Sequence, residues 1–231
     1  FAYSMEQDKS YPLSDGLSNV TEPVFDPSGK YIYMLASTDA GPVVNWFDQS
    51  NQDMEMTSSI YLVTLQRELV SPLAKENDTE EIEENEKNEN EEDSEKTEEE
   101  TQELMIDWDN INDRIINLPV KPGMYFNLEV SEEGKIFFLS RVDGGYGTPS
   151  SVQMFDLQER KEEKIMDANW FTISSDGKKM LFLNRGKWGI TDTGKKPENG
   201  MMNTAQIKVK IDPEKEWRNI FYEAWRVNRD Y

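Results

Sequence analysis

The residue types that perform most enzymatic chemistry are missing or unsupported in this chain. Its serines include the pairs Ser58-Ser59 and Ser150-Ser151, and a serine attacks a carbonyl only when a base takes its proton. The 231 residues contain no histidine and no cysteine. That removes the Ser-His and Cys-His pairs, the thiol nucleophile, the disulfide framework and Cys-ligated zinc. Neither serine pair sits in a Gly-x-Ser-x-Gly elbow, so both read as turn and strand-entry residues. Asp107-Trp108-Asp109 with Asp113 begins like a calcium loop, but Ile111 holds the fifth position and the sixth-position glycine is absent. An outer strand with alternating acids is the preferred reading there. Gly144-Gly145-Tyr146-Gly147 has the composition of a phosphate cradle, yet no helix start and no Lys-Ser/Thr pair follows. It reads as a loop tip between strands. Trp170 and Trp188 read first as packing between sheets and second as platforms for a peptide. No cofactor and no metal is called for, and no catalytic residue is assigned.

Charge narrows the partners. With 46 acidic against 25 basic side chains the net charge is -21, which repels phosphate backbones and anionic headgroups. Nucleic acid and membrane surfaces are therefore poor partners. There is no apolar run near the roughly 18 residues of a membrane span, and no signal peptide can be seen. A start at Phe1 rather than Met, inside what reads as a strand, suggests a fragment. The charge is concentrated: residues 75–103 hold 16 acids and 3 lysines. Such a tract cannot bury enough apolar surface to offset an ordering cost of roughly 1 to 2 kcal/mol per residue. It is expected to be a disordered insertion over about residues 74–104, carried at little cost in loop-closure entropy.

Positioning elements come from a repeat found three times: an apolar residue, Asp or Ser, two variable residues, Gly-Lys, and an apolar run. The copies are Phe25-Asp26-Pro27-Ser28-Gly29-Lys30, Val130-Ser131-Glu132-Glu133-Gly134-Lys135 and Ile173-Ser174-Ser175-Asp176-Gly177-Lys178. Each is a hairpin turn in which the Asp or Ser caps backbone N–H groups and the glycine supplies a positive φ. The runs that follow, Tyr31–Ala36, Ile136–Leu139 and Met180–Leu183, suit strands covered on both faces. Two further strand signals come after each, at 60–63 with 114–118, 152–155 with 164–166, and 188–190 with 207–211. Four strands per unit, with Gly134 and Gly177 43 residues apart, fit propeller blades.

The predicted fold is therefore all-β, a partial β-propeller of four-stranded antiparallel blades with a C-terminal amphipathic α-helix. Residues 1–14 would be the last strands of an earlier blade, 15–122 a blade carrying the acidic insertion, and 123–167 and 168–211 two further blades. Three blades cannot close a ring. In 212–231 the period changes to that of a helix, with Asp212 as N-cap, Pro213 at the first helical position and a stripe of Trp217, Ile220, Phe221, Ala224 and Trp225. This stripe is expected to pack at a junction with a following domain.

Particular strings resemble a known family. Asp15-Gly16-Leu17-Ser18 through Glu22–Tyr33 is similar to the β-propeller repeats of the tricorn protease family and its TolB-like relatives. Leu35-Ala36-Ser37-Thr38-Asp39, Asp113–Pro119 and above all Glu216–Asp230 strengthen the likeness; the last resembles the helix leading from the second propeller into the catalytic region. The resemblance implies a large serine peptidase with two propellers, a PDZ-like module and a split catalytic domain. Such a peptidase takes peptides passed on by other proteases and assembles as a homo-hexamer. The second propeller would be filter and channel, with Tyr146, Trp170 and Trp188 as candidate peptide contacts. The family's catalytic serine and histidine lie beyond the helix, which agrees with a chain lacking histidine. A cytoplasmic setting is implied, and a periplasmic one is equally compatible with the absence of cysteine. The competing readings are a non-enzymatic TolB-like propeller that binds proteins and a peptidase of the prolyl oligopeptidase kind.

Overall fold

The computed structural model describes residues 1–39, 56–74, 104–141, 150–198 and 200–230. The expected acidic insertion over 75–103 and the Gly144–Gly147 loop with Tyr146 lie outside the described residues.

Every sheet is antiparallel and runs in chain order. A two-stranded hairpin, β1 (Ala2–Ser4) and β2 (Lys9–Tyr11), is followed by a first four-stranded sheet of β3 (Val20–Phe25), β4 (Tyr31–Ala36), β5 (Ser59–Thr64) and β6 (Ile115–Asn117). The second sheet holds β7 (Met124–Glu132), β8 (Lys135–Arg141), β9 (Ser150–Asp156) and β10 (Lys161–Asp167). The third has three described strands, β11 (Trp170–Ile173), β12 (Lys179–Asn184) and β13 (Lys187–Asp192). The sheets meet along their first strands, β3 beside β7 and β7 beside β11. This is the blade arrangement of a partial propeller.

The repeat explains the turns. Gly29, Gly134 and Gly177 all have left-handed φ, at 69°, 73° and 70°, the region that costs other residues about 1 to 2 kcal/mol. The middle turn is the tightest: β7 runs on to Glu132 and β8 begins immediately after Gly134, whereas β4 and β12 begin two residues after their glycines. β4 is buried at all six positions, as its unbroken apolar run requires.

Two apolar layers lie between the sheets. Tyr33, Leu35, Ile60 and Leu62 of the first pack with Leu128, Ile136, Phe138 and Phe155 of the second. Phe137, Leu139, Val152 and Ile165 of the second pack with Phe171, Met180 and Phe182 of the third. A third layer covers the other face of the first sheet, where Ile32, Met34 and Val63 meet Leu13 and Ile111. Each buried aliphatic or aromatic side chain contributes about 1.5 to 3 kcal/mol, so packing between sheets dominates over hydrogen bonds along them.

Two local expectations are corrected. The strand signal at 207–211 forms no strand: Ile207, Val209 and Ile211 are exposed at 69%, 78% and 57%. Alternation makes a strand only where an edge pairs with it, and the edge of β13 is met instead by a bridge from Gly189 to Met201. Asp107–Asp109 is likewise not an outer strand but an irregular segment before the 3-10 turn Ile111–Arg114. The Asp107 carboxylate accepts the Arg67 backbone N–H at 2.8 Å, and the Arg114 guanidinium donates to the Asp107 carbonyl and, at 3.1 Å, to the Leu65 carbonyl.

Residues 202–230 form a separate unit. Its helix α1 (Pro213–Asp230) starts where Asp212 and Pro213 predict, with the Glu216 N–H bonded to the Asp212 carbonyl at 3.0 Å. Trp217, Ile220, Phe221 and Trp225 are 51% to 67% exposed and Ala224 is exposed too.

Candidate functional site at the first strands and their turns

The first strands of the first two sheets are bulged at equivalent places. In β3 the register slips between Thr21 and Val24, and in β7 between Phe126 and Glu129. Glu22 and Asn127 occupy the bulges with left-handed φ of 51° and 57°, a conformation that re-aims a side chain. Each reaches the first strand of the next sheet. Glu22 accepts the Leu128 N–H at 2.7 Å, and Asn127 donates to the Phe171 carbonyl at 2.9 Å. Glu129 adds a second latch by accepting the Ile173 N–H at 2.7 Å. Burial pushes the Glu129 carboxyl above the usual glutamate range, against the lowering effect of that bond.

The turns interlock in the same direction. Asp26, 2% exposed, accepts the Ser28 N–H at 2.9 Å within its own turn and the Gly134 N–H at 3.0 Å from the next. The Tyr33 hydroxyl donates to the same carboxylate at 3.2 Å, and burial pushes its pKa far up. One sheet further, the Ser131 carbonyl approaches so closely that a Cβ on Gly177 would lie 2.3 Å from it.

Between these turns lies an open groove of about 820 Å³ bordered by Ser28, Glu129, Glu132, Glu133, Asp176 and Lys178. Lys30 pairs with Glu133 at 2.7 Å and Lys135 with Glu132 at 2.6 Å. Exposed pairs of this kind are worth about 0 to 1 kcal/mol, so an incoming cation competes for both glutamates at little cost. Among the described residues no group of three or more acids, histidines or cysteines has the arrangement of a metal site.

Trp170 and Trp188 come together as an edge-to-face pair, centroids 5.8 Å apart and planes at 78°. They stand on the third sheet and do not border the groove. Sequence reasoning missed Glu22, Asn127 and Glu129. Their signal was there: Glu22 and Asn127 each stand four residues before the turn's Asp or Ser.

Two antiparallel sheets of four strands and a third with three described strands, repeated along the chain and joined at their first strands, have the form of blades in a β-propeller of which this chain is part. Residues 2–194 match the model of the tricorn protease second β-propeller domain, and the chain belongs to that family. It is 26% identical to a Sulfurisphaera tokodaii protein named as a tricorn-like protease C-terminal subunit, over 98% of this chain and 26% of that protein. A tricorn protease homologue of Saccharolobus solfataricus is 26% identical over 89% of this chain and 18% of its own length. The tricorn protease of Thermoplasma volcanium is 24% identical over 99% of this chain and 21% of its own. A crystal structure of the tricorn protease superposes with a TM-score of 0.68 at 18% identity, covering 99% of this chain and 21% of that one. The chain thus spans about a fifth to a quarter of the length of these relatives. No helix among the described residues is long and apolar enough to cross a membrane.

Proposed function

We propose that this chain is a substrate-access segment of the second propeller of a tricorn-like serine peptidase, serving as scaffold and channel wall for peptides cleaved elsewhere in the parent protein. The observation that carries the reading is the family match across residues 2–194. The latches support it: side chains on the first strands are held by bonds to the next sheet, which gives a fixed wall rather than a reactive centre. Selection would be passive. The turn-lined groove, with Glu132 and Glu133 at its border, would favour basic or neutral peptides at the entrance. The family likeness further implies a cytoplasmic homo-hexamer, which sedimentation of the parent protein checks.

The test is carried out on the parent peptidase with paired fluorogenic peptides that differ only in charge. Glu132→Lys with Glu133→Lys should lower kcat/KM for the basic peptide relative to the acidic one. An unchanged ratio overturns the entrance reading, and a parent with no peptidase activity overturns the reading as a whole.

A further inference from the structure

Arg141 closes β8 at the end of the second sheet away from the glycine turns, opposite Met124 of β7 and Ser150 of β9. Two residues beyond Leu139, it falls on the face that packs against the third sheet, and its guanidinium lies over the Phe126 ring, 5.0 Å from the centroid. The side chain is only partly exposed, and its Nε is buried without a hydrogen-bond partner. Among the described residues none of its nitrogens donates a side-chain bond and no carboxylate pairs with it. Arg114 also has an unbonded Nε, but its other two nitrogens donate to the Leu65 and Asp107 carbonyls. Arg141 has no such compensation in a chain with 46 acidic side chains, although a buried charge left unpaired is costly.

The repeat does not require an arginine there. Leu35–Ile60, Leu139–Val152 and Leu183–Trp188 are equivalent cross-strand pairs of the three sheets, so two residues further on Ser37, Arg141 and Arg185 are equivalent. The Ser37 hydroxyl accepts the Asn19 N–H at 3.0 Å, and the Arg185 backbone N–H donates to the Asn169 side-chain oxygen at 2.9 Å. Both positions tie the end of the second strand to the residue that precedes the first strand of the same sheet. The Arg141 side chain ties nothing: Phe126 fixes its head and supplies no acceptor.

We propose that Arg141 is a carboxylate-binding residue and that its ligand is a peptide carboxylate, at the C-terminus or on an Asp or Glu side chain. The inference deepens the access reading and rests on it for the ligand being a peptide. A guanidinium held over an aromatic ring offers a planar fork that matches a carboxylate with two parallel N–H···O bonds. The net charge of -21 disfavours a polyphosphate backbone, whereas a peptide carboxylate brings one charge only. Glu132 and Glu133 stand at one end of the second sheet and Arg141 at the other, so the two ends select opposite charges on a peptide.

The test compares the native parent protein with Arg141→Met, which keeps an unbranched chain over Phe126, and Arg141→Lys, which keeps the charge without the fork. Three fluorescent peptides of one sequence, N-methylated at every amide so that they are not cut, differ only at the last position: a Gln amide, a Glu amide and a Gln with a free C-terminus. Binding is followed by anisotropy. Expected for Arg141→Met is a Kd raised about tenfold or more for at least one carboxylate peptide and unchanged for the Gln amide, with Arg141→Lys in between. Loss confined to the Glu amide makes a side chain the source of the carboxylate, and loss confined to the free C-terminus assigns it there. Equal affinities of native and variant proteins for all three peptides overturn the proposal. Arg141→Met should also unfold in urea no earlier than the native protein, because an unpaired guanidinium is removed; an earlier midpoint with equal losses for all three peptides overturns the proposal in favour of a structural role. If Arg141→Met does not fold, Arg141→Lys carries the same comparison. Binding is read without cleavage, so a parent protein that cuts no peptide yet binds carboxylates through Arg141 overturns the access reading and leaves the site standing.

Discussion

The Asp26 carboxylate accepts the backbone N–H of Gly134 at 3.0 Å across 108 positions of sequence. One buried side chain thereby closes its own turn and fixes the next sheet to it. Removing it leaves the Ser28 and Gly134 N–H groups and the Tyr33 hydroxyl without that partner. Bonds to a charged group are worth about 1.5 to 3 kcal/mol each and are not additive, so Asp26→Ala should cost about 3 kcal/mol or more. Asp26→Asn keeps an acceptor and should cost less. Urea unfolding of both variants checks the order; equal losses would mean the charge and not the bonding is what matters.

Gly177 tests the interlock from the other side. Its φ of +70° and a Cβ position 2.3 Å from the Ser131 carbonyl oxygen combine two obstacles. Gly16 has a φ of +77° with nothing within 4 Å, which isolates the conformational cost. Gly16→Ala should therefore lose about 1 to 2 kcal/mol, and Gly177→Ala more than that because the two sheets must move apart. Matching unfolding midpoints for the two variants would show that the turns do not constrain one another.

How far the sequence discloses this architecture depends on whether a feature is local. The three glycine turns and the run Tyr31–Ala36 are set by neighbours in the chain, and each lies where the pattern puts it. The bulges at Glu22 and Asn127 are not local, since their reason for existing is the main chain of the next sheet. The alternating Ile207, Val209 and Ile211 failed for the same reason in reverse: a correct strand pattern found no partner edge. Of the candidate site, the turns were legible and the latches between them were not. The sequence leaves Trp170 and Trp188 between sheet packing and peptide contact, and only the register shows that they share one face.

Glu129 makes a pH dependence predictable. Burial raises its pKa, so the ionised form is less favoured in the folded chain than in the unfolded one. The stability it contributes is fully present below the ordinary glutamate value and is lost as pH rises through the higher folded value. Glu129→Gln keeps an acceptor for the Ile173 N–H without the charge, and should gain in stability on the native protein as pH rises from 4 towards 7. Glu129→Ala leaves that N–H unpaired and should lose about 1 to 3 kcal/mol at every pH. Unfolding curves at several pH values decide, and a native-to-Gln difference that does not change with pH contradicts the burial argument.

The two faces of the third sheet differ in what covers them rather than in composition. Phe171 is fully buried against the second sheet, whereas Ile190 on the opposite face is 45% exposed. Truncating the first removes a packed ring and leaves a cavity, so Phe171→Ala should destabilise the chain by about 3 to 5 kcal/mol. Ile190→Ala removes methyl groups that already touch water, and the loss should stay below about 1 kcal/mol in the 231-residue chain. Thermal or urea unfolding of the two variants beside the native chain measures this, and an Ile190→Ala cost as large as that of Phe171→Ala would mean that the face is already covered in the 231-residue chain.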